Sequence, residues 1–156
     1  MISPISPKRA AKSERGAELI EFALVFPLLL FVVLGIVDFG FLFQRMEVIT
    51  NAAREGARIA VLPGYSVPDV QDRVCDYVVS GGVPMTQAAC LANVSVTNED
   101  ITAGASVMPG KRVGVTFPHE FMFIGGLSSW FGGSNFGTVP VNAVAIMRDE
   151  IPVPTP

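Results

Sequence analysis

Phe22-Ala23-Leu24-Val25-Phe26-Pro27-Leu28-Leu29-Leu30-Phe31-Val32-Val33-Leu34-Gly35-Ile36-Val37 carries no charged side chain, and only Pro27 and Gly35 interrupt its large apolar character. Extended through Asp38 to Phe43, it makes a helix of about 22 residues, which at roughly 1.5 Å per residue is about 33 Å long and crosses a bilayer core with slight tilt. A buried core helix of this kind would have to be covered on every side, and the rest of a 156-residue chain is too small to do so. Half of all residues are hydrophobic, which is high for a soluble domain, and this segment holds much of the excess. Residues 17–43 are therefore read as a membrane-spanning helix.

The flanks give it a direction. Before Ala17 the chain carries Lys8, Arg9, Lys12 and Arg15 against Glu14 alone, whereas the remainder has nearly twice as many acids as bases. Positive charge resists translocation, so residues 1–16 are expected to form a flexible, basic cytoplasmic leader, with the C-terminal part on the far side of the membrane. A cleaved secretory signal fits poorly, because the apolar run exceeds a typical h-region and no convincing small-x-small site follows it. Nucleic-acid binding is disfavoured: the exported part is acidic, with its bases scattered and no aromatic interleaving.

Beyond the membrane, Phe39, Leu42, Met46, Ile49, Ala53, Ala57 and Ala60 keep helical spacing up to Pro63-Gly64, so the helix should continue with one apolar face. That face shrinks to alanines and Gly56, which suits close packing against the protein's own sheet or against another subunit's helix. A second helix is expected from about Pro68 to Ser80, with Ser66 as cap, Asp69 and Asp72 at the positive end of its dipole, and Val70, Val74, Tyr77 and Val78 as its apolar face. Val94 and Val96, then Val113, Val115 and Phe117, then Val139, Val141, Ala143, Ala145 and Met147 alternate as antiparallel strands do. The fold class is α+β: a long N-terminal transmembrane and amphipathic helix supporting a small antiparallel-sheet head over residues 44–150. Residues 151–156 form a proline-rich tail. Phe121 to Gly137, rich in glycine and large apolar side chains, reads as a loop folded over the sheet; a patch for a partner or for the outer membrane leaflet is the alternative.

Cys75 and Cys90 both fall in the exported part, where an oxidising compartment permits a disulfide, and they are read as a pair that staples the following segment to the second helix. Two cysteines and the distant His119 do not supply zinc's usual ligand set, so no metal is expected. His119 lacks any recognisable nucleophile nearby in sequence and is read as a surface or strand-end residue rather than a general base. No serine stands in a nucleophile elbow, and Gly125-Gly126 and Gly132-Gly133 lack the lysine of a phosphate loop. The expectation is a protein that is not an enzyme and needs no cofactor.

Arg15-Gly16-Ala17-Glu18-Leu19-Ile20-Glu21-Phe22 stands immediately before the apolar run. A glycine separated by four residues from Glu21-Phe22, between a basic leader and a hydrophobic helix, resembles the processing site of type IV prepilins and pseudopilins. The resemblance implies cleavage between Gly16 and Ala17 by a prepilin peptidase, with Glu21 as the fifth mature residue and, with Phe22, part of the assembly surface. A carboxylate at the edge of an apolar helix does in any case need water, a proton or a cation. With Phe26-Pro27-Leu28, Gly35-Ile36-Val37-Asp38-Phe39-Gly40, Thr50-Asn51-Ala52-Ala53-Arg54-Glu55-Gly56-Ala57-Arg58 and the closing Ala143 to Glu150, the chain is similar to the TadE-like proteins of tight-adherence (type IVb, Flp-type) pilus systems. This implies a pseudopilin or minor pilin whose partners are the prepilin peptidase, other pilins and pseudopilins, inner-membrane pilus assembly proteins and the membrane, with no nucleic acid. Asp38 stands where that family often carries an acid, and is expected at the outer headgroups as a helix-end residue. The competing expectation is a signal-anchored envelope protein whose exported head binds a ligand or another protein.

Overall fold

A computed structural model describes residues 10–104, 106–130 and 138–149. Helix α1 spans Ala10–Ala60, followed by α2 (Val67–Ser80), α3 (Gln87–Leu91), strands β1 (Val94–Ala103) and β2 (Ser106–Glu120), α4 (Phe123–Trp130) and β3 (Thr138–Arg148). The α+β architecture read from the sequence is the one observed. The proline-rich tail, Gly132-Gly133 and the leader up to Arg9 lie outside the described residues.

Helix α1 starts earlier than the expected membrane boundary. Residues 10–16, read as flexible leader, already belong to it, because Ala10, Ala11, Lys12, Glu14 and Arg15 have good helix propensity and no proline stands among them. From Leu19 to Val33 its large apolar side chains are exposed, and Gly16–Ala60 is long and apolar enough to cross a membrane. Pro27 costs one rung of the backbone ladder without ending the helix.

The second half of α1 is the spine of the head. Ile49, Ala52, Ala53, Ala57 and Ile59 are buried, while Phe39 and Met46, expected on the same face, remain about half exposed at 48% and 46%. The three strands form an antiparallel meander in the order β1-β2-β3. In the central strand Val113, Val115, Phe117 and His119 all point inward, as the two-residue period of a strand requires. Val115 sits between Val94 and Ala143, and Phe117 opposite Val141, so most of the alternating sets read from the sequence form one inner layer against α1, while Val139 is exposed. β2 is longer than its alternating core suggests: Ser106 to Arg112 continue the ladder with β1, where Lys111 also donates to Asn98 Oδ1 at 2.6 Å and Arg112 lies 3.8 Å from Glu99.

Helix α2 lies beside α1. Asp69 accepts from the Ser66 N–H at 2.8 Å and from the Ser66 hydroxyl, which fixes the expected start. Its buried face is Val70, Val74, Cys75 and Val78; Tyr77 is exposed, and Cys75 takes the place expected of it. Gly56 is where α1, α2 and the sheet converge: a methyl group there would run into Val74 and press on Val113. The small-residue face therefore serves the protein's own head rather than a neighbouring subunit's helix.

Candidate functional site

Two regions of α1 hold the residues that the sequence singles out. At the first, Gly16 to Phe22 is continuous exposed helix. A Cβ on Gly16 would meet nothing, and Glu21 forms no ion pair among the described residues. Phe22 stacks on Phe26 one turn later with ring centroids 5.2 Å apart. The Ala17 nitrogen is a helix amide, not the free amine that the pilin resemblance would pair with Glu21.

At the second region the sequence reading needs correcting. Asp38 is 1% exposed and lies in mid-helix. Its Oδ1 accepts from the Met122 N–H at 3.1 Å, and its Oδ2 accepts from the N–H groups of Phe123 at 2.9 Å and Ile124 at 2.8 Å. These amides open α4 and have no partner within that helix, and the positive end of the helix dipole favours the carboxylate. The described part of the glycine-rich apolar stretch is thus a helix clasped to α1, not a loop over the sheet. Phe123 and Ile124 pack beside Phe31, Leu34 and Gly35 around a notch of about 90 Å³.

Two turns above Asp38, Arg45 Nη1 donates to His119 Nδ1 at 2.9 Å. Because a guanidinium can only donate, the neutral imidazole must carry its proton on Nε2, which is buried and has no partner among the described atoms. His119 is 1% exposed, so it is a strand-end residue but not a surface one. Burial holds its pKa below the ordinary histidine value and the Arg45 charge acts in the same direction, while Asp38 opposes them. Phe121 packs edge-on against both His119 and Phe39, at 4.9 and 5.8 Å between centroids, and Arg45 lies over the Phe117 ring. Asp38, Arg45, His119 and the aromatics form one node where sheet, α4 and α1 meet.

Cys75 and Cys90 are bridged, with Cα atoms 5.7 Å apart. The partner of α2 in this staple is the short helix α3, whose cap is the Thr86 hydroxyl accepting from the Ala89 N–H. Among the described residues no group of three or more His, Cys, Asp and Glu is placed to hold a metal ion.

The helix that carries both regions is also what the comparisons identify. Residues 16–58 match the TadE-like protein family. No curated protein and no solved structure matches the chain. The TadE-like region begins at the glycine of the proposed junction and includes Glu21, Asp38, Arg45 and Gly56; the cysteines, α4 and His119 lie beyond it. It therefore contains the α1 half of the Asp38 node, while the other half comes from the head.

Sequence reasoning placed Gly16, Ala17, Glu21 and Phe22 together and paired the cysteines, but missed the link from Asp38 to residues 122–124. Its only signal was an acid at the end of a long uncharged run, with an arginine seven residues later on the same helical face.

Proposed function

We propose that this chain is a pseudopilin or minor pilin, a structural and assembly subunit of a tight-adherence pilus or a related secretion machine rather than an enzyme. The observation that carries the reading is the TadE-like match over residues 16–58 on a helix that is lipid-compatible in its first half and supports an antiparallel-sheet head with its second. In this reading the basic leader stays cytoplasmic and residues 17–43 store the subunit in the inner membrane. The head is extracytoplasmic, in keeping with its disulfide. A prepilin peptidase cuts between Gly16 and Ala17, and the freed helix then packs laterally with those of other pilins, where Glu21 meets the Ala17 amine of a neighbour.

Gly16→Leu tests the processing step. Placing a branched side chain where the peptidase needs none should leave an uncut, membrane-bound precursor, detected by mass spectrometry of protein from the native membrane. Wild-type protein that retains residues 1–16 in cells with an active prepilin peptidase would favour a simple signal-anchored envelope protein instead.

A further inference from the structure

We propose that the start of α4, Met122 to Ile124, is an interfacial foot that enters the acyl-chain boundary of the leaflet facing the head, with Asp38 as its anchor on α1. The inference rests on the reading of α1 as a membrane helix and goes beyond the assembly role.

Depth is the first argument. Phe22 to Phe43 spans about 33 Å at roughly 1.5 Å per residue, the thickness of the hydrocarbon core. Asp38 therefore falls within about 8 Å of its outer boundary, and its three hydrogen bonds fix the start of α4 at that level. Phe123 and Ile124 line one notch with Phe31, Leu34 and Gly35, which lie deeper still.

Chemistry is the second. A helix start cannot enter a water-poor layer with bare amide groups, since each unsatisfied N–H costs several kcal/mol in hydrocarbon. Asp38 satisfies three such groups on α4, and the same bonds offset the cost of burying its carboxyl group. Outside that clasp the foot is apolar and uncovered: Met122 is 64% exposed and Phe123 37%. Its surface continues that of Leu19 to Val33, whose large apolar side chains are themselves exposed in the isolated chain. The notch beside Gly35 is apolar, and a Cβ added there would meet nothing. The lipid that covers α1 therefore also covers the foot, and the notch accommodates acyl chain.

The test uses the full chain in proteoliposomes containing fewer than one copy per vesicle. Because Cys75 and Cys90 are bridged, Met122→Cys, Val32→Cys and Val107→Cys each offer a single thiol for an environment-sensitive fluorophore, quenched by nitroxide lipids labelled high or low on the acyl chain. Val32 lies within the proposed span, and Val107 on the hairpin remote from α4. The expected result is quenching of the Met122 label by the shallow probe, at least several-fold above that of Val107, and its loss when Asp38→Ala is added with the disulfide still formed. A Met122 label that behaves like Val107 while Val32 is quenched overturns the foot and leaves the anchor standing. If Val32 also escapes quenching, the membrane reading fails first and the foot with it. Shielding of Met122 that develops only at high copy number assigns the surface to a second copy and overturns the lipid proposal.

Discussion

At the level of single residues, the hydrogen bonds of Asp38 explain why an acid can sit in the middle of α1. Charge-assisted bonds to three amides offset the cost of burying the carboxylate, and the amides would otherwise lack partners. Asp38→Asn keeps the shape but turns an NH2 group toward N–H donors and removes the charge. The expected cost is about 1–3 kcal/mol. Hydrogen exchange in detergent micelles should show it as a loss of protection on the order of tenfold to a hundredfold at Met122, Phe123 and Ile124, and unchanged protection there would mean the clasp is incidental. His119 makes a separate prediction. The fold disfavours its protonation, first because the ring is buried and then because a proton on Nδ1 would displace the Arg45 hydrogen bond and place two cations together. The unfolded chain therefore binds that proton first. The His119 contribution to stability is complete above the unfolded value of about 6.5 and is lost as pH falls from there toward the lowered folded value. Glu55 and Asp69 have pKa values held below the ordinary carboxylate range, so they titrate below that window. Urea unfolding should show weakening from pH 7 to pH 5 in the wild type and a flatter profile in His119→Phe. Equal slopes would exclude His119 as the source.

Between secondary-structure elements the covalent staple is the strongest single tie of α2 to α3. It closes a separation of 15 residues, for which loop-closure entropy gives about 3 kcal/mol. The double variant Cys75→Ala, Cys90→Ala should lower the free energy of head opening by about that amount, read from exchange at the β2 amides of Val113, Val115 and Phe117. A change below about 0.5 kcal/mol would mean that packing alone holds α3. How far each element was legible depended on whether its partners lay nearby in sequence. The spine of the head was readable because Ile49, Ala53 and Ala57 repeat at helical spacing and Gly56 marks a close approach. The strand cores were readable because alternation survives wherever one face is buried. α4 was not, for its side chains show no clear period and the acceptor that fixes its start is 84 positions earlier for Met122. α3 escaped notice for a simpler reason: at five residues it is too short to show a period. Propensity and alternation report local order, whereas the Asp38 node is made only when β2 returns its end to the base of the head.

Seen as a whole, the molecule is one helix with two environments. From Asp38 to Arg58 α1 rises about 30 Å, and β2 from Gly110 to Glu120 covers a similar length in the opposite direction. Met147 and Arg148 consequently border Arg58 and Leu62 at one end, while Glu120 leads to the Asp38 clasp at the other. This arrangement seats the head on the second half of α1 and leaves the large apolar side chains of the first half exposed, as the proposed lateral packing requires. In the proposed assembly that packing takes Glu21 away from water, and an uncompensated buried charge costs several kcal/mol. Under the proposed function, only cleavage at Gly16 would create the amine that compensates it, which would penalise unprocessed subunits and favour processed ones. Glu21→Gln preserves shape and some hydrogen bonding but leaves the neighbour's amine without a counter-charge. Expressed as the sole copy in the native host, it should insert and be cut as wild type, while crosslinked subunit complexes and surface pili fall about tenfold or more, as loss of one partner of a buried pair implies. Mass spectrometry of the mature terminus separates the two steps. Normal cleavage with normal complexes and pili would show that Glu21 only marks the cytoplasmic end of the helix.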